Sequence, residues 1–506
     1  MWRYLENRLK IMSSMHKSLF RYTYIALTTC ICFFSFNTAS WGQCEIEKLT
    51  AHDGVWGDMF GYSVCISGEF AIVGAYAHDG VGNNSGAAYI YRFDAISGSW
   101  IGQEKLTASD AQSGEFGDLF GLAVSINGDV AVISAVADND ACPGDPKFCN
   151  SGSAYIFRFD PKLSQWVEED KLIASDGEIE DQFGTAVSIN GDVVIVGVPF
   201  ADDIGNHSGK SYIFRKDPKS NEWVEEAILF AFDVTSVLGF GKGVAVRGNL
   251  AIITSTTFDD DLEIYYGTAF VFRYNTITGI WNEEAKLTTS DAANGDGFGP
   301  VSISDDLAVI GVSGDDDAAN NAGSAYVFKY DAKTKLWSEV DKIYASDPEP
   351  NDRFGGSVSI SGDLIVVGVR LDDDTCPKDP GCDSGAAYLF QYDPKTDSWI
   401  EKAKLTASDP GDGDEFGRSV SISGNFAIVG SHLDDEIALA AGAAYTFDLS
   451  ACLCPADLDG DSAVNTRDLL ALFAQWGTAG SADLDGNGTV NTADLLILFA
   501  NWGPCG

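Results

Sequence analysis

Two stretches near the C-terminus carry residue types and a spacing that do recognisable chemistry. "DLDGDSAVNTRD" begins at Asp457 and "DLDGNGTVNTAD" at Asp483, an offset of 26 residues. Each puts oxygen-bearing side chains at loop positions 1, 3, 5, 9 and 12. That spacing wraps roughly six to eight hard oxygens around one calcium ion. In the first loop the side-chain ligands are Asp457, Asp459, Asp461, Asn465 and Asp468, with the carbonyl of Ala463 at position 7. In the second they are Asp483, Asp485, Asn487, Asn491 and Asp494, with the carbonyl of Thr489. The expected cofactor is calcium, one ion per loop. Plain acidic turns would not explain the apolar residue at position 8 of both copies, Val464 and Val490.

Helices must hold such loops. Leu469, Leu472, Phe473 and Trp476 form an apolar stripe after the first loop, and Leu495, Leu498, Phe499 and Trp502 form its twin. The two stripes are expected to pack together as a pseudo-twofold core. Cys454 and Cys505 bracket the segment and are candidates to clasp its ends. Residues 452–506 thus read as a small calcium-binding α domain.

The rest of the chain is repetitive. Phe-Gly recurs at Phe60, Phe120, Phe183, Phe240, Phe298, Phe354 and Phe416, and tryptophan closes six of the repeats, at Trp100, Trp166, Trp223, Trp281, Trp337 and Trp399. Each repeat holds four strand candidates. In the sixth, residues 357–360 alternate small and branched side chains, a Ser-Gly turn follows, residues 364–369 are continuously apolar, residues 386–392 start small, and a last strand carries Trp399 into "KLTASD". Four short antiparallel strands per repeat, with a second strand covered on both faces, predict an all-β seven-bladed β-propeller over residues 44–451. A long β-solenoid is the alternative architecture. The seventh repeat stops after its third strand, and "CEIEKLTAHD" at Cys44 supplies the missing fourth. This register brings Cys44 beside Cys452, a predicted bridge fastening the ring. Cys142 with Cys149, and Cys376 with Cys382, share equivalent loops and are the other local disulfide candidates, with metal binding the weaker reading. Cys65 reads as a buried free thiol.

Export is the expected localisation, secreted or cell-surface. Residues 1–42 carry a basic segment, an apolar stretch from Tyr24 to Phe36 and small residues at a cleavage site, a signal peptide whose removal leaves no transmembrane segment. The net charge is −43. Such a surface repels nucleic acid and suits cations or basic partners. The acid concentrates in the loops between second and third strands, at Asp202, Asp203, Asp259, Asp260, Asp315, Asp316, Asp372, Asp373, Asp434 and Asp435. These loops and those entering the first strand emerge on one face, giving an acidic rim. It reads either as a binding face or as solvated turn-forming aspartates. His52, His78, His207 and His432 sit in polar loops and read as exposed.

Across residues 44–450 the Phe-Gly, the apolar second strand and the Gly-Ala-Ala-Tyr element resemble the FG-GAP repeats of integrin alpha-chain propellers. Calcium-binding integrin blades carry an Asp-rich loop between the first two strands. Here that turn is only "ISGD" or "INGD", so those calcium sites do not carry over. The C-terminal loops resemble a type I dockerin, which implies a cohesin-like partner or an envelope anchor. The usual Ser-Thr pair at positions 10 and 11 is replaced by Thr466-Arg467 and Thr492-Ala493. Together the resemblances imply an exported, non-catalytic binding or adhesion protein with an extracellular protein or glycan partner. The competing reading is a polysaccharide-degrading enzyme on a propeller, for which no catalytic residue can be singled out.

Overall fold

The computed structural model describes residues 44–80, 82–111, 117–140, 149–231, 237–259, 264–375, 382–454, 456, 458, 463–478, 480, 482–484 and 489–504. Seven four-stranded antiparallel sheets form the blades of a propeller. The inner strands are Ser63–Ser67, Phe120–Asn127, Ala186–Asn190, Val237–Arg247, Val301–Ser304, Ser357–Ser361 and Ser419–Ser423. Each lies against the inner strands of its neighbours around the axis. The second strand of each blade is the apolar run; Leu364–Val369 is buried at every residue because adjoining blades cover both of its faces. The cores lie between blades. One joins Val366 and Leu389 of blade 6 to Phe416, Val429 and Tyr445 of blade 7. Burial of each such side chain contributes about 1.5–3 kcal/mol.

The repeated Phe-Gly is a blade-to-blade latch. All seven phenylalanines are 0–1% exposed. Phe416 meets the Tyr445 ring edge-on at 5.4 Å, and its backbone bridges Gly385 of the preceding blade. Gly385 has φ +83°, and a Cβ there would lie 2.0 Å from the Phe416 carbonyl oxygen. Only glycine allows both the turn and the approach.

Small polar residues on the inner strands stitch the ring at its narrowest radius. The Ile66 amide donates to Ser421 Oγ at 3.0 Å, Val124 to Ser63 at 3.0 Å, Ile189 to Ser125 at 3.2 Å, Ile360 to Ser302 at 3.2 Å and Ile422 to Ser359 at 3.1 Å. Cys65 occupies one of these serine positions, part-buried and free, and its Sγ accepts from the Ile126 amide at 3.4 Å. Between blades 4 and 5 the serine position is Ala245, and an Arg247–Asp305 ion pair at 2.7 Å links the neighbouring turns.

The ends meet as the register requires. Glu45–Leu49 pairs antiparallel with Ala443–Asp448 and completes blade 7. A Cys44–Cys452 disulfide lies beside this strand, with a Cα–Cα distance of 5.2 Å and a sequence separation of 408. Cys149, Cys382 and Cys454 are also disulfide-bonded. Cys142, Cys376 and Cys505 lie outside the described residues.

In the C-terminal segment, Thr466–Ala474 and Thr492–Ala500 are helices that touch, and Ala463–Val464 pairs with Gly503–Pro504. The packing corrects the predicted stripes. Leu472 and Leu498 are fully buried, and Leu469 and Leu495 pack against the same core with Val464 and Val490. Phe473, Trp476, Phe499 and Trp502 are instead 43–50% exposed. The core of so short a segment is filled by the leucines, and the aromatic ends of both stripes project beyond it. Among the described residues no helix is long and apolar enough to cross a membrane.

Candidate functional site

Lysines are built into the acidic loop face. The lysine that starts "KLTASD" in the outer strand reaches back over the third-strand tyrosine of its own blade. In blade 6, Lys404 Nζ lies 3.1 Å from Asp347, 2.7 Å from Asp372 and 2.5 Å from Asp374. Tyr388 donates to Asp347 at 2.6 Å and to Asp372 at 3.1 Å. The same arrangement recurs around Lys171 with Asp110, Asp138 and Asp140, Lys342 with Asp291, Asp315 and Asp317, and Lys48 with Asp409, Asp434 and Glu436. Burial alone would lower these lysine pKa values, but the surrounding carboxylates raise all four above the ordinary value. Asp110, Asp138 and Asp140 are close enough together to hold a metal ion, yet the Lys171 ammonium lies within 2.6–2.8 Å of all three.

These locks divide the predicted rim. Asp315, Asp372 and Asp434 are 2–3% exposed and paired to lysine, so they are not a solvated cation face. Asp203 pairs with the buried Lys210 at 2.9 Å. Asp202 and Asp316 are exposed and accept backbone N–H bonds from His207 and Asn321. Asp435 is exposed and Asp373 half-buried. Asp259 ends the second strand of blade 4, and Asp260 lies outside the described residues.

Three blades depart from the lock. Blade 3 has Ala201 at the buried-acid position and Ile228 at the lysine position, and Lys210 of the third strand supplies the cation instead. Blade 4 has Phe270 for the tyrosine, with Lys286 Nζ 5.5 Å from the ring centre. Blade 1 has His78, 5% exposed rather than solvated. Its Nδ1 lies 2.9 Å from Asp58 Oδ2, and its Nε2 lies 2.5 Å from Lys105 Nζ. Asp53 is buried enough to be raised, but Lys105 and Tyr89 hold it down to about 2.

A second set of buried acids precedes six of the seven Phe-Gly pairs, at Asp58, Asp118, Asp181, Asp296, Asp352 and Asp414; blade 4 has Leu238 there. Asp352 accepts from the Glu349 amide at 2.7 Å and Asp414 from the Gly411 amide at 2.7 Å. Burial and then the neighbouring Asp372 push Asp352 up to about 7; burial and Asp434 push Asp414 up to about 6.

Inside this ring, at the axial mouth, the chemistry reverses. The residue after each Phe-Gly differs from blade to blade: Tyr62, Leu122, Thr185, Lys242, Pro300, Gly356, Arg418. Over blades 6, 7 and 1, Arg418 and Tyr62 meet Arg370, His432 and Tyr76, which follow their blades' second strands. The Arg418 guanidinium lies 4.2 Å from the Tyr62 ring centre. Tyr62 meets Tyr76 at 4.6 Å and His432 at 5.3 Å, both edge-on. Arg370 Nη1 bonds Glu415 at 3.0 Å. His432 is 8% exposed, a second correction to the reading of the histidines, and its Nδ1 has no hydrogen-bond partner. Burial, then Arg418 and Arg370, hold its pKa down to about 3. Sequence reasoning missed this cluster; its signal is the variability of one position inside an otherwise uniform repeat.

In the C-terminal loops, Asp468 and Asp494 are fully buried. Asp468 accepts from the amides of Leu458 and Asn465, each at 2.7 Å, and Asp494 from those of Leu484 and Asn491, each at 2.6 Å. Position 12 therefore ties both ends of its loop. Asn465 and Asn491 are helix N-caps, bonded to the amides of Arg467 and Ala493. Asp483 is buried and Thr489 exposed. The backbone of Ala463 is paired in a short strand. Asp457, Asp459, Asp461, Asp485 and Asn487 lie outside the described residues.

The FG-GAP repeat model matches residues 41–91, 100–157, 166–214, 281–328, 337–390 and 399–447, more than half of the chain. The chain belongs to the FG-GAP repeat family. The stretch left unmatched between residues 215 and 280 holds most of blade 4, the blade whose tyrosine is replaced by Phe270. No curated protein matches the chain. Solved structures similar to it include the periplasmic gluconolactonase PpgL of Pseudomonas aeruginosa, at 14% identity and TM-score 0.46, covering 72% of this chain and 90% of that one. A putative 6-phosphogluconolactonase from Bacteroides fragilis matches at 15% identity and TM-score 0.43, over 69% and 85% of the two chains. Sqt1 of Saccharomyces cerevisiae matches at 9% identity and TM-score 0.41, over 81% and 86%.

Proposed function

We propose that this FG-GAP protein is an exported binding protein that receives an extracellular partner at the axial mouth of its acidic face and is attached or assembled through its C-terminal domain. One observation carries the reading. In four blades the buried acids of the rim are paired with lysine, whereas the residues that vary after the Phe-Gly of blades 7 and 1 gather at the mouth beside a buried imidazole nitrogen without a partner. A scaffold that satisfies its regular charges within the blades and gathers varied residues into one half-buried cluster at the axis is arranged for recognition.

The C-terminal domain is dockerin-like in this reading and holds two calcium ions. The described donors fit calcium's preference for hard oxygen: Asp468 and Asp494 draw their loops around a buried carboxylate, and Asp483 is buried beside the second. Bound calcium would neutralise these carboxylates and order the loops. Attachment then uses the exposed twin pairs Phe473–Trp476 and Phe499–Trp502, together with Leu470 and Leu496. The pseudo-twofold repeat presents this apolar surface twice.

The test is attachment of the full chain to envelope preparations from its own source, with and without EGTA, beside the Leu470→Glu/Leu496→Glu double variant. Loss of attachment with chelator and in the variant is expected. Attachment indifferent to both would remove the anchoring role. The boundary matters in any truncation: Cys452 belongs to the ring, so a tail deletion must begin after Leu453.

A further inference from the structure

The axial mouth combines features that no other cluster among the described residues shows. Arg370, Arg418 and His432 converge beside Tyr62 and Tyr76, with Glu415 as the carboxylate that pairs with Arg370. In a chain of net charge −43 this is a cationic spot inside an acidic ring. A buried polar atom left without a partner costs roughly 1–3 kcal/mol, so the state of His432 Nδ1 calls for an occupant that supplies one. The half-buried Tyr62 and Tyr76 leave their hydroxyls open to a ligand: among the described residues neither hydrogen-bonds through its hydroxyl, whereas the third-strand tyrosines Tyr155, Tyr326, Tyr388 and Tyr445 each bond two aspartates.

The ligand must therefore carry negative charge for the guanidinium groups, hydroxyls for the imidazole and phenols, and a face that can lie against aromatic rings. The surrounding rim sets its size. Asp202, Asp316, Asp435 and the other exposed rim acids repel an extended polyanion along its length, but they admit one charged group at the centre of the ring. We propose that the axial mouth formed by Tyr62, Tyr76, Arg370, Arg418 and His432 binds a single uronate-type sugar acid, with its carboxylate on the arginines and its hydroxyls on His432 and the tyrosines. The guanidinium fork matches a carboxylate bidentately, and the imidazole, uncharged at neutral pH, can accept a sugar hydroxyl or donate to its oxygen.

This rests on the axial-mouth reading above and names its ligand class. Free D-galacturonate and a chain-terminal galacturonate share the chemistry, so both are needed as probes. Isothermal titration of the full chain with galacturonate, trigalacturonate, galactose and sodium sulfate is the experiment. Galacturonate and trigalacturonate are expected to bind at least tenfold more tightly than galactose or sulfate. If only the trimer binds, the natural source is a chain end. Arg418→Gln and His432→Phe should each weaken binding about tenfold or more, with far-UV circular dichroism and melting temperature showing that the ring is intact. Arg418→Lys separates charge from fork geometry and should recover only part of the loss. Galacturonate binding equal to that of galactose, or undiminished binding in folded Arg418→Gln, overturns the assignment. Capture of a protein partner abolished by Tyr62→Ala, in a protein that ignores every sugar acid, would sink the ligand class and leave the mouth as the binding site.

Discussion

The rim and the mouth lie a few residues apart on one face, yet they handle charge in opposite ways. At the rim, Lys404 sits among Asp347, Asp372 and Asp374, and Tyr388 bonds two of the three. At the mouth, Arg418 rests on a tyrosine ring, and His432 is buried with Nδ1 unanswered. The difference teaches that abundance of charge is a poor guide to a binding site. The repeated acids reinforce the blade and the singular bases leave something unfinished.

The sharpest way to break the comparison is to remove a lock. Lys404→Met keeps the length of the side chain but leaves three carboxylates facing one another, one of them fully desolvated. Breaking a buried pair by deleting one partner costs about 3–5 kcal/mol. Chemical denaturation at pH 7 should show a loss of that order, and Asp372→Asn in the same chain should restore part of it. A loss under about 1 kcal/mol would mean that the lock is ornamental and the rim acids are free for other work.

A smaller effect is expected from the second set of acids. Asp352 is raised to about 7 in the folded protein, well above an unfolded aspartate. The folded state therefore holds the proton more tightly. The contribution to stability is fully present below the unfolded pKa, near pH 4, and is lost as pH rises through about 7. Asp352→Asn keeps an oxygen to accept the Glu349 amide and has no proton to lose. Its free energy of unfolding, from chemical denaturation, should match that of the wild type near pH 4 and exceed it at pH 8 by about 1–2 kcal/mol. Curves that stay parallel across this range would contradict the assigned burial effect.

Smaller still is the inner stitching. Ser359→Ala removes the acceptor for the Ile422 amide, and the expected loss is about 1 kcal/mol, the net worth of one hydrogen bond. Blade 4 already carries Ala245 at this position, so the cost of the change cannot approach that of breaking a lock.

Much of this was legible in the sequence. The four-strand period, the count of seven and the closing strand all follow from pattern, because a blade's strands are local and their periodicity is dictated by burial on both faces. The locks were written there too, in "KLTASD" and Ala-Ala-Tyr, but one acid of each follows the outer strand of the preceding blade: Lys404 and Asp347 are 57 residues apart. Composition located the acid without showing that lysine answers it. The mouth was harder. Arg370, Arg418 and His432 come from two blades, and each looks like an ordinary loop residue until the ring brings them to one axis. The exposed Phe473 and Trp476 were misplaced because periodicity shows which face a residue shares, not how far the neighbouring helix reaches along it.

The smallest expected effect decides whether rim and mouth are different in kind. Arg418→Gln removes a charge of the same type as Lys404→Met and from the same face. If the mouth is a recognition site, its residues are held by the fold without supporting it. The loss should be limited to the cation–π contact with Tyr62, about 0.5–1 kcal/mol, offset in part by relief of the buried His432 from a neighbouring positive charge. Denaturation midpoints of wild type and Arg418→Gln should then nearly coincide. A destabilisation matching that of Lys404→Met would place Arg418 among the structural charges, and the contrast on which the binding assignment depends would vanish.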